Sequence, residues 1–435
     1  MKESAPKILV VARGVWDDDI GTSSTLTNLF SNYDPKRLAM LYLEAKKPRT
    51  KCCQSFFRIP EIAMAKKVFN WNTKVGERID TRGFDKDNNG EVAAEDKALN
   101  YVRGHRSSLF LWLRELMWAL GLWKTKELRK FIEEENPDVL WFDGSTNIFL
   151  DRLYLYVLRV AKKPAILYLM DDNYTYKSMT GHRYLYYFLH RRTMRKVVER
   201  SKAVLVISPK MKREFDELFH INSTIITKGI DYSQISYKEP VVGYPVRLLY
   251  MGQIIYGRHY TLEAVIKGMK EINQDGIVVT LSVYTNNRIP KLLDYQSSGR
   301  KDVVFCPAVP YSEVQRVIAN HDVLLFMESL NPKYNSDARL SFSTKITDYL
   351  TSGRCIFAVG PYDSAPMEYF QNEDCAIVAH DQNEIADGLR KLCDKDVVKY
   401  YSNKGFETGR RNHDKQVMDR RLERVLDKIV YSQSL

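Results

Sequence analysis

Short apolar runs recur along the chain, and segments long enough for a helix separate them. The first run is Ile8–Val11, and the pattern starts again at Arg247–Met251. A strand that is apolar along its whole length is typical of a parallel sheet with both faces covered by helices. Strands that alternate with helices therefore predict an α/β protein with doubly wound parallel sheets. The other predicted strands are Val139–Phe142, Ala165–Leu169, Val204–Ile207, Val278–Tyr284, Val303–Phe305, Val323–Phe326 and Ile356–Val359.

The length of the chain supports two domains. Its 435 residues exceed what one hydrophobic core usually serves. Pro240, Gly243 and Pro245 cluster just before the strand pattern restarts, as expected of a linker. We predict Rossmann-like domains over residues 1–235 and 236–413, followed by a charged amphipathic helix near 414–430.

Composition limits the compartment and the partners. The formal net charge of +12 favours an anionic partner, whether nucleic acid, acidic lipid or phosphorylated substrate. The six cysteines lack zinc-ligand spacing, so we expect reduced thiols. No apolar run approaches the roughly 20 residues that span a bilayer, and the N-terminal run is too short for a signal peptide. We therefore expect a cytoplasmic protein.

The segment 343–354 has the most specific chemical pattern. It predicts a short helix with Ser341 or Ser343 at its cap, followed by a glycine and a buried strand. Backbone N–H groups at a helix start attract phosphate, and Lys345 adds a positive charge on a side chain that we expect to be solvent-accessible. Asp348, one turn later, is placed to accept hydrogen bonds from a ribose diol. The pattern fits a nucleotide site or an ordinary capped helix with a surface lysine.

This segment resembles the donor-site helix of retaining GT-B glycosyltransferases of family 4, where Ser/Pro-Thr-Lys precedes Glu-Tyr-Leu. Val246–Gly252 resembles the strand and glycine turn that open the family's donor domain, and Lys228–Asp231 resembles the Asn-Gly-Val-Asp that ends its acceptor domain. Asn136–Leu140 and Val204–Ser208 also match by position and character. The resemblance implies a GT-B fold of two Rossmann-like domains facing across a cleft. It further implies that the first domain binds the acceptor, the second binds the donor, and the last helix crosses back to the first.

The resemblance also implies a set of donor-binding residues and two departures from the family pattern. Gln253 replaces an arginine, and Leu340 replaces the first of two glutamates. Arg258 takes the place of a family lysine, so Arg258 and Lys345 are the expected catalytic cations that stabilise the departing phosphate. Glu328 and Asp337 lie near Leu340 in sequence, and the sugar contact stays unassigned between them. The predicted donor-binding residues are Gly252, Gln253, Ser343, Thr344, Lys345 and Asp348.

Acidic residues follow two strands of the first domain. Asp171 and Asp172 stand where family members often have His-Asp, so either carboxylate is a candidate to orient the acceptor hydroxyl or take its proton. The alternative is a pair of turn aspartates. After the first strand, Asp18, Asp19 and Gly21 are predicted to bind the acceptor, with a solvated loop as the alternative.

Two acidic patterns invite a metal interpretation. Asp80–Asp96 resembles the start of an EF-hand loop, but Asp96 stands where that loop needs a bidentate glutamate. Asp17–Asp19 suggests a metal-binding Asp-x-Asp, which belongs to a different glycosyltransferase fold. We expect no metal and no cofactor, with a nucleotide-diphosphate sugar as co-substrate.

Two further segments bear on membrane contact. Ser107–Trp123 is apolar and aromatic with basic flanks, and His182–Arg200 is basic and rich in tyrosine. Each fits either a membrane interface or a helix that packs in the first domain. The membrane interpretation predicts a peripheral protein on the inner face of the plasma membrane.

The sequence as a whole predicts a hexosyltransferase that moves sugar from a nucleotide diphosphate to an acceptor, with the retention that the resemblance implies. The expected pathway is surface polysaccharide or glycolipid synthesis, with a sugar or lipid-linked acceptor. The alternatives are a GT-B nucleotide-sugar epimerase or hydrolase, and a non-catalytic nucleic-acid binder. Net charge alone suggests the last, and no nucleic-acid motif supports it. The donor, the linkage and the oligomeric state are not indicated.

Overall fold

The computed structural model describes residues 5–18, 21–79, 108–175, 183–287 and 301–431. By its internal contacts the chain divides into two compact units. Unit 1 comprises Met1–Val206, Glu214–Ile226 and Asp419–Leu435, and unit 2 comprises Ile207–Arg213 and Thr227–Met418. The assignment of acceptor binding to the first domain and donor binding to the second stays a prediction.

Unit 1 is built on an eight-stranded sheet. Its strands are β1 (Ile8–Val11), β2 (Leu38–Tyr42), β3 (Ser55–Arg58), β4 (Glu77–Ile79), β5 (Val139–Asp143), β6 (Ala165–Leu169), β7 (Ala203–Val206) and β8 (Thr224–Ile225). They lie in the order β4-β3-β2-β1-β5-β6-β7-β8, and all neighbours pair in parallel except β3 and β4. Its helices are α1 (Gly21–Phe30), α2 (Glu61–Phe69), α3 (Ser108–Ala119), α4 (Lys126–Glu135), α5 (Ile148–Ala161) and α6 (Arg183–Arg200).

Large aromatic side chains fill the centre of unit 1. Trp141 on β5 is fully buried, and its ring centroid lies 5.2 Å from that of Phe30 and 5.5 Å from that of Tyr168. Because β1 and β5 are central and covered on both faces, they consist almost entirely of apolar residues. The apolar runs that predicted these strands are therefore the core itself.

Unit 2 is built on a six-stranded sheet. Its strands are β9 (Val246–Met251), β10 (Val279–Tyr284), β11 (Val303–Cys306), β12 (Val323–Met327), β13 (Cys355–Val359) and β14 (Ile377–Ala379). They lie in the order β11-β10-β9-β12-β13-β14 and all pair in parallel. The remaining helices are α7 (Pro209–Phe219), α8 (Arg258–Ile272), α9 (Tyr311–Ala319), α10 (Pro332–Ala338), α11 (Thr344–Thr351), α12 (Ala365–Asn372), α13 (Gln382–Leu392), α14 (Lys395–Asn412) and α15 (Lys415–Tyr431). The division between the units falls inside α7 and inside α15.

The prediction of doubly wound parallel α/β sheets is confirmed, and each of the nine predicted strands overlaps an observed strand. The strands β2, β3, β4, β8 and β14 were not predicted. Helix starts are less accurate. The polar residues 14–24 suit a loop after β1, but α1 already begins at Gly21. Short hydroxyl residues such as those at 22–24 suit a first helical turn as well as a loop, so the sequence pattern does not separate the two.

Helices α3 and α6 each have a buried and an exposed apolar face. Trp118 and Trp123 are buried, and the ring of Trp112 packs 5.7 Å from that of Tyr186 on α6. The apolar residues that stay exposed, here called the apolar face, are Leu113, Leu116, Leu120, Tyr184, Leu185 and Phe188. The segments are thus partly core and partly solvent-facing. Within the described ranges, no helix has the length and apolar character needed to cross a bilayer.

An ion pair between the buried Asp322 and Arg247, whose side chain is 45% exposed, joins the starts of two strands in unit 2. The Asp322 carboxylate, fully buried just before β12, accepts hydrogen bonds from Arg247 Nη2 at 2.8 Å and Nε at 3.0 Å. It also accepts from the backbone N–H of Arg247 at 2.9 Å and of Gly243 at 3.3 Å. Burial favours the neutral acid, but the hydrogen bonds from Arg247 prevail and lower the pKa of Asp322.

We expect Asp322→Ala to lower the free energy of unfolding of unit 2 by about 2 kcal/mol at neutral pH, because the charged hydrogen bonds are lost. Since the folded pKa is lowered, this stabilisation is present above the ordinary aspartate pKa of about 3.9 and is lost as the pH falls through the folded value. Denaturant unfolding at pH 7 and in acid measures both effects. Equal stability at pH 7, or a difference that persists unchanged in acid, would contradict this role.

Candidate active site

Helix α11 has the predicted cap and the predicted buried face. Ser343, rather than Ser341, is the N-cap, and its hydroxyl accepts a hydrogen bond from the backbone N–H of Lys345 at 3.4 Å. Thr344 is the first helical residue, and the helix turns its apolar side chains into the core of unit 2. Gly353 follows with φ +64°, a conformation that favours glycine at a helix exit. The helix start therefore has a fixed position relative to the sheet.

Lys345 is only partly exposed, so its side chain is less accessible to solvent than the sequence predicts. Its Nζ lies 5.4 Å from the ring centroid of Tyr250 on β9. A Cβ added to Gly252 would lie 2.0 Å from this Nζ and 2.8 Å from Cε. Gly252 also has φ +128°, which side chains rarely adopt. The glycine turn after β9 thus makes the space that the lysine fills.

The ammonium of Lys345 has an unusual electrostatic environment. It makes no ion pair or hydrogen bond with any residue in the described ranges. Burial, together with repulsion from Arg258, lowers the pKa of Lys345 to about 8, and Glu328 opposes this shift. A cation that lacks an anionic partner in the protein is suited to bind an anionic ligand.

Arg258 lies beside this lysine and is held from two sides. Its Nη2 donates to both carboxylate oxygens of Glu328, at 3.0 Å and 3.1 Å. Its Nε donates to the backbone oxygen of Met327 at 3.0 Å. Arg258 is 17% exposed and Glu328 only 7% at the side chain, so the pair is shielded from water. The structure therefore brings together Gly252, a predicted donor-binding residue, and the two predicted catalytic cations, Arg258 and Lys345.

The remaining predicted donor-binding residues are Asp348, on α11, and Gln253, in the turn that follows β9. Asp348, on α11, accepts a hydrogen bond from Lys228 Nζ at 2.9 Å, so its carboxylate already has a cationic partner. Gln253 is exposed, and its backbone oxygen accepts from the Tyr250 hydroxyl at 2.8 Å. Leu340 is fully buried and presents no group for hydrogen bonding. A role of Asp348 at the ribose stays a prediction.

In unit 1, the predicted acceptor residues follow β1. The Asp18 carboxylate accepts from the Thr27 hydroxyl at 2.6 Å and from the backbone N–H of Lys51 at 3.3 Å. These contacts fix the loop against α1, whose first residue is Gly21. Asp19 lies outside the described residues, as do the residues 80–96 that resemble an EF-hand. Among the described residues, no group of three or more His, Cys, Asp or Glu is placed to hold a metal ion.

The aspartate pair after β6 has the geometry of a turn. The Asp172 carboxylate accepts from the backbone N–H groups of Tyr174 at 3.2 Å and Thr175 at 2.8 Å, and from the Thr175 hydroxyl. Such contacts favour the interpretation of Asp172 as a turn aspartate. Asp171 is exposed at the carboxyl end of β6, so the geometry favours it over Asp172 as the acceptor carboxylate.

Two candidate residues are absent from the predicted set. Glu328 follows β12, and its proximity to Leu340 in the sequence does not by itself assign it a role. Asp143 ends β5, which lies between β1 and β6; burial raises its pKa to about 7, and it accepts from Trp141 Nε1 at 3.1 Å. Both are acidic residues at the end of a fully apolar run, at the sheet edge where parallel α/β proteins bind ligands. That position is the signal that identifies them.

One protein family profile is similar to part of this chain. Residues 81–234 match the sequence profile of Glycosyltransferase Family 4. A search of curated protein sequences found no match.

Solved structures of low sequence identity share the fold. HepE of Anabaena in complex with UDP-glucose is 11% identical, with 97% of this chain and 100% of that chain covered and a TM-score of 0.58. Sucrose-phosphate synthase of Thermosynechococcus elongatus is 10% identical, with 98% and 99% covered and a TM-score of 0.62. WaaG, a glycosyltransferase involved in lipopolysaccharide biosynthesis, is 12% identical, with 97% and 99% covered and a TM-score of 0.54. These likenesses establish the fold as GT-B.

We expect Lys345→Met to melt at a higher temperature than the wild type at pH 7. The unfolded chain keeps its lysine protons up to a pH of about 10.4, whereas the folded protein releases the Lys345 proton near 8. The buried charge therefore lowers stability fully below pH 8, and the penalty disappears as the pH rises toward 10.4. Thermal unfolding at pH 7 and pH 10 measures the difference.

Lys391→Met is the matched control, because Lys391 is an exposed lysine on α13. It should leave the melting temperature nearly unchanged at both pH values. If Lys345→Met melts no higher than this control at pH 7, the burial of the Lys345 ammonium does not lower the stability of the protein.

Proposed function

We propose that the chain is a GT-B glycosyltransferase of family 4 and that it transfers a hexose-type sugar from a nucleoside diphosphate to an acceptor with retention. The observation that carries the proposal is the Lys345 ammonium, which is only partly exposed beside Gly252 without an anionic partner among the described residues. A protein that keeps such a charge in the first turn of a helix is prepared to bind phosphate. The diphosphate of the donor is the anion that this enzyme class supplies.

The proposed chemistry places the positive charge where negative charge develops. When the bond between the sugar and the diphosphate breaks, the leaving phosphate oxygen gains charge. Arg258 and Lys345, with the start of α11, stabilise that charge. Arg258 keeps Nη1 without a hydrogen-bond partner in the described ranges, so this nitrogen is available to the diphosphate. These groups take the place that a divalent ion fills in other transferases, and we propose a metal-independent reaction.

The donor and the pathway are proposals drawn from the neighbours. The complex of HepE with UDP-glucose makes UDP-sugars the first donors to test. The role of WaaG in lipopolysaccharide biosynthesis supports an acceptor in surface polysaccharide or glycolipid synthesis. In unit 1, the candidate acceptor residues are Asp171 after β6, Asp143 at the end of β5 and Asp18 in the loop that follows β1, since these three strands are adjacent in the sheet.

We propose that the acceptor is membrane-proximal and that the apolar face contacts an anionic bilayer. Its leucine and aromatic side chains are about half exposed or more, as in the case of Leu116 at 61% and Tyr184 at 60%. Arg192 lies over the ring of Phe188 at 5.8 Å, so a cation accompanies the apolar residues. Apolar side chains beside basic ones are the composition of interfacial helices, and the net charge of +12 adds attraction to acidic lipid.

We expect Lys345→Met to lower turnover about 10²-fold or more, because it removes a strong charge partner of the transition state. The assay follows release of UDP from UDP-sugars in the presence of candidate acceptors. Lys391→Met is again the control and should keep wild-type turnover. Near-normal turnover of Lys345→Met with a correct donor would remove Lys345 from the mechanism.

Three further measurements separate this proposal from its rivals. Asp348→Ala should weaken nucleotide binding in a thermal-shift screen against UDP, GDP and ADP, because bound nucleotide stabilises the folded state by mass action.

Turnover should survive EDTA, and loss of activity that manganese or magnesium restores would overturn the metal-independent mechanism. Hydrolysis of the donor without any acceptor would favour an epimerase or hydrolase.

We expect the protein to co-sediment with anionic vesicles at low salt and to be released as salt screens the basic residues. Leu116→Glu should weaken this binding, because a carboxylate in the apolar face opposes both insertion and the lipid charge. Val241→Glu is the matched control, since Val241 is an exposed apolar residue of unit 2, at 88% exposure. Equal, negligible binding of the wild type to anionic and neutral vesicles would overturn the membrane proposal and leave the transferase assignment intact.

A further inference from the structure

The carboxylate of Glu328 is placed to organise the two cations of the proposed donor site. Its backbone is fixed at the end of β12, where its N–H donates to the Val359 oxygen at 2.9 Å and its carbonyl accepts from the Thr261 hydroxyl at 2.7 Å. The residue is 5% exposed. A buried carboxylate on such a rigid support can define where an arginine lies.

The contacts of the Glu328 carboxylate argue against a direct hydrogen bond to the donor sugar. Both oxygens accept from the same nitrogen, Nη2 of Arg258, and the side chain is almost entirely shielded from water. It is therefore poorly placed to hydrogen-bond a donor sugar. It instead fixes one edge of the guanidinium while the Met327 carbonyl holds Nε at 3.0 Å. Nη1 is then the nitrogen of Arg258 that has no hydrogen-bond partner among the described residues.

The charges explain why an acid is needed here. Arg258 and Lys345 are close enough to repel each other, and both are mostly buried. Two buried cations without a counter-charge are costly, and the usual result is that the lysine releases its proton. A single carboxylate leaves a net charge of one and lets both cations coexist.

We propose that Glu328 is a positioning residue that holds Arg258 in place and keeps Lys345 protonated for the donor diphosphate. The inference rests on the proposed function for the ligand, but the state of Lys345 can be measured without any ligand. Among the described residues, the charged or titratable groups that act on Lys345 are Arg258 on α8, Glu328 after β12 and Tyr250 on β9. Asp348 and Tyr349 follow it on α11 itself.

The direct test is the pH dependence of Lys345 reactivity. Only the neutral amine reacts with a small acylating reagent, and mass spectrometry of the peptide that contains Lys345 follows the rate. The wild type should titrate near pH 8. Glu328→Gln should titrate about one pH unit lower, because an opposite charge has been removed. Arg258→Met should titrate higher, because a repelling charge has been removed and Glu328 is released to the lysine.

The matched control is Asp322→Asn. Asp322 is the buried, arginine-bound carboxylate at the opposite end of β12, so its loss should lower stability without moving the Lys345 titration. Unchanged midpoints in Glu328→Gln and Arg258→Met would overturn the inference. The Arg258→Met result decides alone if Glu328→Gln does not fold.

A second experiment measures the affinity of the protein for UDP from pH 7 to pH 9.5, a range in which the phosphates of UDP are ionised. Wild-type affinity should fall above pH 8, and in Glu328→Gln the fall should begin earlier, with affinity about fivefold weaker at pH 8. Absence of UDP, GDP and ADP binding to the wild type would overturn the proposed function, whatever the amine titration shows. Binding that is normal and equally pH-dependent in both proteins would overturn the role of Glu328 alone.

Discussion

Parallel strand pairing is the constraint on which both units depend. Neighbouring strands that run the same way need a crossover, so the carboxyl ends of the parallel strands open at one edge of the sheet, where ligands bind in such proteins. In unit 2 this edge gathers the glycine turn after β9, the start of α8 and the residue after β12. Residues far apart in sequence thereby become neighbours, and Arg258 contacts Glu328 across 70 positions. The chemistry of the site is a consequence of the topology.

Each predicted strand is present in the structure, whereas the predicted helix starts are less accurate. The two features differ because they depend on different physical causes. A strand buried on both faces is apolar throughout, so β6 and its equivalents are visible as runs. A helix start depends on which of several capping residues the tertiary structure selects. Ser343 rather than Ser341 caps α11, and α1 begins at Gly21 within a segment that also suits a loop. Local preference leaves such choices open, and packing decides them.

The sequence predicts which residue types form the site, but it does not predict their burial or their ion pairs. The glycine, the arginine and the helix-start lysine were identified, and the structure brings them together in unit 2. The burial of Lys345 was missed because it depends on Gly252, which makes room for the ammonium beside a distant strand. Glu328 was missed because an isolated glutamate resembles any other until its arginine is seen. Burial and pairing are long-range properties, and a single sequence contains no direct record of them.

The lowered pKa of Lys345 makes the protein's charge and its ligand thermodynamically linked. An anion that binds beside the amine stabilises the protonated form, so above a pH of about 8 binding draws a proton from the solvent. The heat of binding then includes the ionisation of the buffer that gives up that proton. Leaving-group departure and product release change the charge near the same amine. The proton on Lys345 is bound with different affinity in the free and the anion-bound protein. Each stage of the cycle that changes the bound anion therefore depends on the pH of the solution.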